Sequence, residues 1–150
     1  MTASCDIVID KEGVWYYRGA HMFRKDILSI FFEHLRIDDC GKYYIALGDE
    51  ISYLEVEDTA FVVCTVFRNC VGAGQDELSI ALTDDSIERL EMESLEVGAD
   101  NILYCRVKDG RFLARFSRKS YYQLAEYIEE HEGKFFISLN NNRYFIRYGC

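Results

Sequence analysis

The stretch from Lys11 to Ile45, KEGVWYYRGAHMFRKDILSIFFEHLRIDDCGKYYI, decides the fold. Lys11-Glu12-Gly13 reads as a turn, and the glycine allows the positive φ of a tight hairpin. Before it, Ile7 and Ile9 mark a strand; after it, Val14-Trp15-Tyr16-Tyr17 marks a second. Gly19 breaks the run. From Met22 to Arg36, Phe23, Ile27, Ile30, Phe31 and Leu35 recur at three- and four-residue steps, which predicts a helix with one apolar face. Asp38, Asp39 and Gly41 end it, and Lys42 to Leu47 is the next strand.

The same plan returns in 108–137, KDGRFLARFSRKSYYQLAEYIEEHEGKFFI. Lys108-Asp109-Gly110 answers Lys11-Glu12-Gly13, and Gly133-Lys134-Phe135-Phe136-Ile137 answers Gly41-Lys42-Tyr43-Tyr44-Ile45. Arg24-Lys25 and Arg118-Lys119 stand where the two helices begin. Such self-similarity predicts an internal duplication. In the second copy Ser117 is an N-cap for a helix over 120–131, whose inner face is Tyr121, Leu124, Ala125 and Ile128. A closing hairpin over 135–139 and 143–148 turns at Asn140-Asn141-Asn142.

Between the copies the chain is β-rich. Tyr53 to Glu57 alternates apolar and acidic, and Phe61 to Phe67 is a nearly continuous apolar run, the mark of a buried central strand. Gly72-Ala73-Gly74 turns the chain into Leu78–Leu82; it lacks the third glycine and the following helix of a dinucleotide fingerprint. The alternation of Leu90, Met92, Leu95 and Val97 within 87–97 fits a strand, while the Glu and Leu content of this stretch would also support a short helix. The expectation is an α+β protein: two duplicated ββαβ units joined by further antiparallel strands, one helix packed on each sheet face. The first subdomain takes residues 1–50. The central strands and second unit take 51–150, packed as one compact whole with no flexible linker.

Composition narrows the function classes. The 150 residues hold 49% hydrophobic and 29% charged residues, as in an ordinary globular chain, with no proline to interrupt a strand. The net charge of −9 opposes nucleic acid and anionic membranes, and no basic run offsets it. No apolar stretch approaches the roughly 20 residues of a spanning helix, and the N-terminus does not read as a signal peptide. A cytoplasmic protein is expected. Its six cysteines form no C-x-x-C pair and read as free thiols, Cys64 and Cys105 within apolar strands and Cys150 exposed at the end.

Order and spacing of several short motifs now carry a resemblance. Asp10-x-x-Gly13-x-Trp15-x-x-x-Gly19-x-x-Met22-x-Arg24-x-x-Ile27, then Gly41-x-Tyr43, then Val56-Glu57-Asp58-x-x-Phe61, resembles domain-of-unknown-function family 1285, a bacterial family of uncharacterised proteins. Thr83-Asp84, Val107-x-Asp109-Gly110, Arg118-x-x-x-Tyr122-x-Leu124 and Phe135-Phe136 continue it over nearly the whole chain. The resemblance implies a bacterial cytosolic α+β protein of two small subdomains. It brings no established activity, so no catalytic residue is carried over. The chain departs from the pattern in its several cysteines and in a shortened region around Gly48-Asp49-Glu50, where the family has a Thr-Pro-containing stretch.

Arg24 and Arg118 are the sharpest chemical clue. Each falls in the first turn of an expected helix, where the dipole disfavours a cation unless an acid offsets it. An arginine fork beside free helix N–H groups makes an anion site between the two repeats, with His21, Glu57 and Asp58 nearby. Alternatively, each arginine pairs with a protein carboxylate such as Glu57 or Asp58, or stacks on a tyrosine. Arg24, Glu57, Asp58 and Asp84 together would be the cluster of an enzyme. Glu55, Glu57, Asp58, Asp84 and Asp85 lack the loop spacing of a cation site, and His21, His34 and His131 lack metal-ligand spacing, so no metal and no cofactor is expected. The doublets Tyr16-Tyr17, Tyr43-Tyr44, Tyr121-Tyr122 and Phe135-Phe136 put rings on both sides of their elements, which invites a homodimer. The readings open at this point are a binding or regulatory module for a small anion or a protein, an enzyme built on the Arg/carboxylate cluster, and a homo-oligomer.

Overall fold

The computed structural model describes residues 6–149. The chain divides into two units after Ala60.

The first unit runs β1 (Ile7–Ile9), β2 (Trp15–Tyr17), β3 (Ala20–His21), α1 (Lys25–Glu33), β4 (Leu35–Ile37), β5 (Tyr43–Leu47), β6 (Glu50–Tyr53) and β7 (Glu55–Val56). These make a four-stranded sheet in the order β3-β2-β1-β7 and a three-stranded sheet β4-β5-β6. All pairings are antiparallel except β1 with β7. Gly13 takes φ 84° at the first hairpin. Asp10 fastens that turn, its carboxylate accepting the N–H groups of Glu12 and Val14 at 2.9 and 3.0 Å. Trp15, 2% exposed, is the centre of the core. Phe31 stacks on it at 6.1 Å and Phe32 meets it edge-on at 5.0 Å, so α1 is held to β2 by aromatic contacts.

The second unit runs β8 (Phe61–Cys70), β9 (Asp76–Leu82), β10 (Ile87–Arg89), β11 (Glu96–Val97), β12 (Leu103–Val107), β13 (Phe112–Phe116), α2 (Arg118–Ala125), β14 (Ile128–His131), β15 (Lys134–Leu139), β16 (Asn142–Phe145) and β17 (Arg147–Tyr148). The apolar run that begins at Phe61 is indeed an interior strand of a seven-stranded sheet, order β10-β9-β8-β13-β12-β11-β17. A bulge between Val63 and Thr65 frees backbone groups of β8, and α2 takes them. Val63 C=O accepts from Ser117 N–H at 3.1 Å and Ser120 Oγ at 2.7 Å, and Gln123 Oε1 accepts the Val66 N–H at 2.7 Å. Ser117 caps α2 as expected, its hydroxyl accepting from Ser120 N–H at 3.1 Å. The closing hairpin forms between β15 and β16, with Asn140 and Asn141 at φ 52° and 67°.

The α+β class therefore stands, with two helices and mostly antiparallel strands among the described residues. Both helices are shorter than their sequence pattern. α1 spans Lys25–Glu33, not 22–36, because Leu35-Arg36-Ile37 pairs with β5. α2 stops at Ala125, not 131, because Ile128–His131 pairs with β15 across the Glu132-Gly133 turn. In both places ladder pairing outweighs the helix propensity of Leu, Arg and Glu. The inner faces shift with the ends. Ser120 and Leu124 are the buried residues of α2, whereas Tyr121 is 39% exposed. The ambiguous segment 87–97 is neither one strand nor one helix: β10, a 3-10 turn at Met92–Ser94 and β11 succeed one another. Of the doublets, Phe136 is buried, whereas Tyr121 and Tyr122 are both exposed.

Candidate functional site

The apolar pattern of α1 is wider than the face it buries. Phe32 is buried against Trp15, while Phe23 is 75% and Ile30 48% exposed. Nine helical residues offer only a narrow strip to the sheet, so the rest of the stripe stays outside. What it leaves is a groove of about 410 Å³ within the first unit. Ile7, Tyr17 and His21 line it from the four-stranded sheet, Met22, Phe23 and Arg24 from the link into the helix, and Ile27 and Phe31 from α1. Its walls are therefore almost wholly apolar, with Arg24 and His21 as the polar members. The His21 ring lies 6.0 Å from Tyr16, its partner across the β2–β3 pair, and 6.1 Å from Phe23.

Arg24 is the N-cap of α1, in extended conformation (φ −79°, ψ 106°), and its side chain does not cap the helix. Its guanidinium forks onto Asp26 in the first turn, Nε to Oδ1 at 3.2 Å and Nη2 to Oδ2 at 2.7 Å. The hydrogen bond from Arg24 holds the Asp26 carboxyl below its ordinary range. So the acid that Arg24 calls for is two residues away. Asp26 also sits where the helix dipole favours a negative charge.

The other expected site residues are distributed as follows. Glu57 follows β7, where its carboxylate accepts the Lys11 N–H at 3.0 Å and its own N–H bonds Ile9 C=O at 2.9 Å, locking the strand end to the first turn. Asp58 is the next residue along. Arg118 opens α2 in the second unit, exposed and in no ion pair among the described residues. Asp84 is in the second unit too, 2.7 Å from Lys108 Nζ and bonded by the Ser86 hydroxyl and N–H. Thus His21 and Arg24 share the groove, while Asp84 and Arg118 belong to the other unit. Burial is the largest influence on the Asp84 carboxyl and pushes it up. The Lys108 and Ser86 bonds with the Lys108 charge together outweigh burial, leaving it below its usual range. Lys108 N–H also donates to Glu88 at 3.1 Å, and its Nζ lies 5.5 Å from the Phe61 ring centre.

The thiols sort by burial. Cys40 and Cys70 are exposed and free; burial pushes the Cys64 and Cys105 thiols up. Cys150, expected to be exposed, lies outside the described residues. No helix among the described residues is long and apolar enough to cross a membrane. No group of three or more His, Cys, Asp or Glu among them could hold a metal ion.

No protein-family model matches the chain, and no curated protein matches it. Among solved structures, a DUF1285 family protein from Silicibacter pomeroyi DSS-3 superposes with a TM-score of 0.78 at 22% identity, over 95% of this chain and 80% of that one. This is the DUF1285 fold. A second DUF1285 family protein, from Shewanella baltica OS155, gives a TM-score of 0.66 at 15% identity, over 81% of this chain and 91% of its own. The DUF1285 likeness agrees with the motif order from Asp10 to Phe136 read in the sequence.

The groove itself was half legible. Phe23, Ile27 and Phe31 stood out as an apolar stripe, but a stripe reads as core. The signal that separates it was the short distance from Gly19 to Arg24, which leaves no room for a helix to begin at Met22 once β3 has formed.

Proposed function

We propose that this chain is a bacterial, cytoplasmic DUF1285 family member built from a duplicated unit, and that it acts as a binding module rather than an enzyme. The groove of the first unit is its docking surface, and a protein partner is its ligand. The observation that carries this reading is Phe23, three-quarters exposed on the wall of an almost wholly apolar groove. Leaving such a ring in water forgoes about 1–2 kcal/mol of burial, which a bound partner recovers. The ion pair with Asp26 favours an apolar occupant over a small anion, because Arg24 already has its carboxylate. The carboxylates with shifted ionisation point the same way. Asp26, Asp38 and Asp84 are all held charged by hydrogen bonds, which suits fastening the fold better than moving protons at neutral pH.

The test uses an anilinonaphthalene dye as an apolar probe, read by energy transfer from Trp15, the sole tryptophan, which stacks on the groove residue Phe31. Saturable binding that weakens several-fold in Phe23→Ala and in Ile27→Ala supports the groove. Binding unchanged in both variants refutes it. A parallel thermal-shift screen with phosphates, nucleotides and carboxylic acids covers the anion reading. A shift that is lost in Arg24→Ala or Arg118→Ala would replace the apolar reading with that one. Sedimentation with and without Phe23→Ala covers the homodimer.

A further inference from the structure

Apart from the groove of the first unit, we propose that the second unit holds a site for a compact organic cation, a free small molecule with a quaternary ammonium head. The site is a cavity of about 240 Å³ lined wholly by residues of that unit. Tyr148 pairs with Val97 and Val97 with Leu103 across β17, β11 and β12, so these three side chains share one face of the seven-stranded sheet. Helix α2 adds Tyr121 and, one turn on, Ala125. The β14–β15 hairpin adds Glu130 and Phe135, which are partners across the ladder and therefore lie on one face too. Ile146 ties the two sheets together, its N–H donating to Phe135 C=O at 2.9 Å. Leu103 and Ile146 are buried, but Tyr121 and Tyr148 remain 39% and 63% exposed. Phe135 and Tyr148 stand 6.5 Å apart at 59°, so the two rings form a corner.

Charge names the occupant. The lining holds three aromatic rings and the carboxylates Glu129 and Glu130, and no basic residue. Glu129 alternates to the far face of β14, so Glu130 is the acid beside Phe135; it is exposed and in no ion pair among the described residues. The neighbouring cations turn elsewhere. Arg147, between Ile146 and Tyr148, lines a different cavity with Arg106. Lys134 is opposite His131, on the face of the hairpin away from Glu130. Arg118 opens α2 and does not line the cavity. Ala125 ends α2, whose last turn holds no basic residue, so the negative end of the helix dipole adds to the field. Ring faces attract a cation, and a methylated ammonium loses little hydration while offering its methyl groups to Val97, Leu103 and Ile146. An anion would meet Glu130, and a metal ion would want more oxygen ligands than one carboxylate supplies. The volume falls below the roughly 300 Å³ at which pockets for drug-sized molecules begin, so the ligand is compact.

The probe is choline, titrated into the isotope-labelled full chain and followed by amide shifts in nuclear magnetic resonance spectra. Its uncharged isostere, with carbon in place of the nitrogen, is the control. The expected result is saturable shifts at Val97, Leu103, Phe135 and Tyr148 with a millimolar or tighter Kd, and binding of the isostere about tenfold weaker. Tyr148→Ala should weaken choline about tenfold, while Tyr148→Phe, which keeps the ring, should stay within about twofold. Glu130→Gln should weaken it several-fold, and by less at high salt, because an exposed carboxylate is screened. Tyr148 and Glu130 are both exposed, so these variants keep the fold, which the dispersion of the spectrum checks. Equal binding of the isostere overturns the cation and leaves only an apolar cavity. Shifts confined to other residues, unchanged binding in Tyr148→Ala, or no saturation by about 100 mM choline overturn the site. A trimethyl-lysine peptide that binds more than about tenfold tighter than choline would make a modified protein chain the source and overturn the small-molecule reading. None of these outcomes depends on the groove of the first unit, so the two readings stand or fall separately.

Discussion

Replacing Lys108 by Met tests how the second unit is fastened. Lys108 and Asp84 are 2.7 Å apart with side chains 21% and 13% exposed. Lys108 Nζ also donates to the Ser86 hydroxyl at 2.8 Å. Methionine keeps the stem over Phe61 and removes the charge, so Asp84 is left half-buried without its cation. Orphaning a fully buried ion costs about 3–5 kcal/mol, and a charged hydrogen bond is worth about 1.5–3. With this much solvent access the lower range applies, about 1.5–3 kcal/mol at pH 7. The pH dependence follows from the direction of the Asp84 shift. Its folded pKa is depressed, so its stabilising contribution is present above the unfolded value of about 3.9 and is lost as pH falls through the folded value. In Lys108→Met the cation and its hydrogen bond are gone while burial and the Ser86 bonds remain, so protonating Asp84 costs the variant less than it costs the wild type. The gap between wild type and variant should therefore be full at neutral pH and close below about pH 4. Urea denaturation followed by circular dichroism, at pH 7 and pH 3, measures it. A gap that stays constant between these pH values, or one under about 0.5 kcal/mol at pH 7, refutes the account.

Phe32→Ala should destabilise the first unit by about 3–5 kcal/mol and shift Trp15 fluorescence to the red, whereas Phe23→Ala should change stability by less than about 0.7 kcal/mol. Equal losses in urea melts would contradict the division between the buried face of α1 and the outward Phe23 of the link before it. Glu132 holds φ 54° in the turn before β15, so Glu132→Asn should raise stability by about 0.5 kcal/mol, seen as a higher urea midpoint. With an aromatic disulfide reagent at pH 8, Cys40 and Cys70 should react at once, Cys64 slowly and Cys105 only on unfolding. Peptide mapping of the labelled thiols checks the order, and early labelling of Cys105 would disprove its burial.

Local chemistry determined much of this protein. Gly13, Ser117 and the Asn140-Asn141 pair placed a turn, a cap and a hairpin, because each solves a backbone problem its neighbours create. The nearly continuous apolar run from Phe61 placed an interior strand, since a strand covered on both faces reads as a near-continuous apolar run. The α+β class followed from these, and the motif order from Asp10 to Phe136 carried the resemblance to DUF1285 proteins. Tertiary structure decided the rest. Leu35–Ile37 and Ile128–His131 carry helical composition and become strands, because β5 and β15 offer ladder bonds that propensity cannot match. Arg24 found its partner in Asp26, where Glu57 and Asp58 were the expected acids, because a first-turn carboxylate is both within reach and favoured by the dipole. The groove exists because α1 begins late, at Lys25, which leaves Met22 and Phe23 in the link before it. The sequence wrote a wide apolar stripe, and only the packing of Phe32 on Trp15 settled which part of it the fold would hide and which part, with Phe23, it would leave exposed.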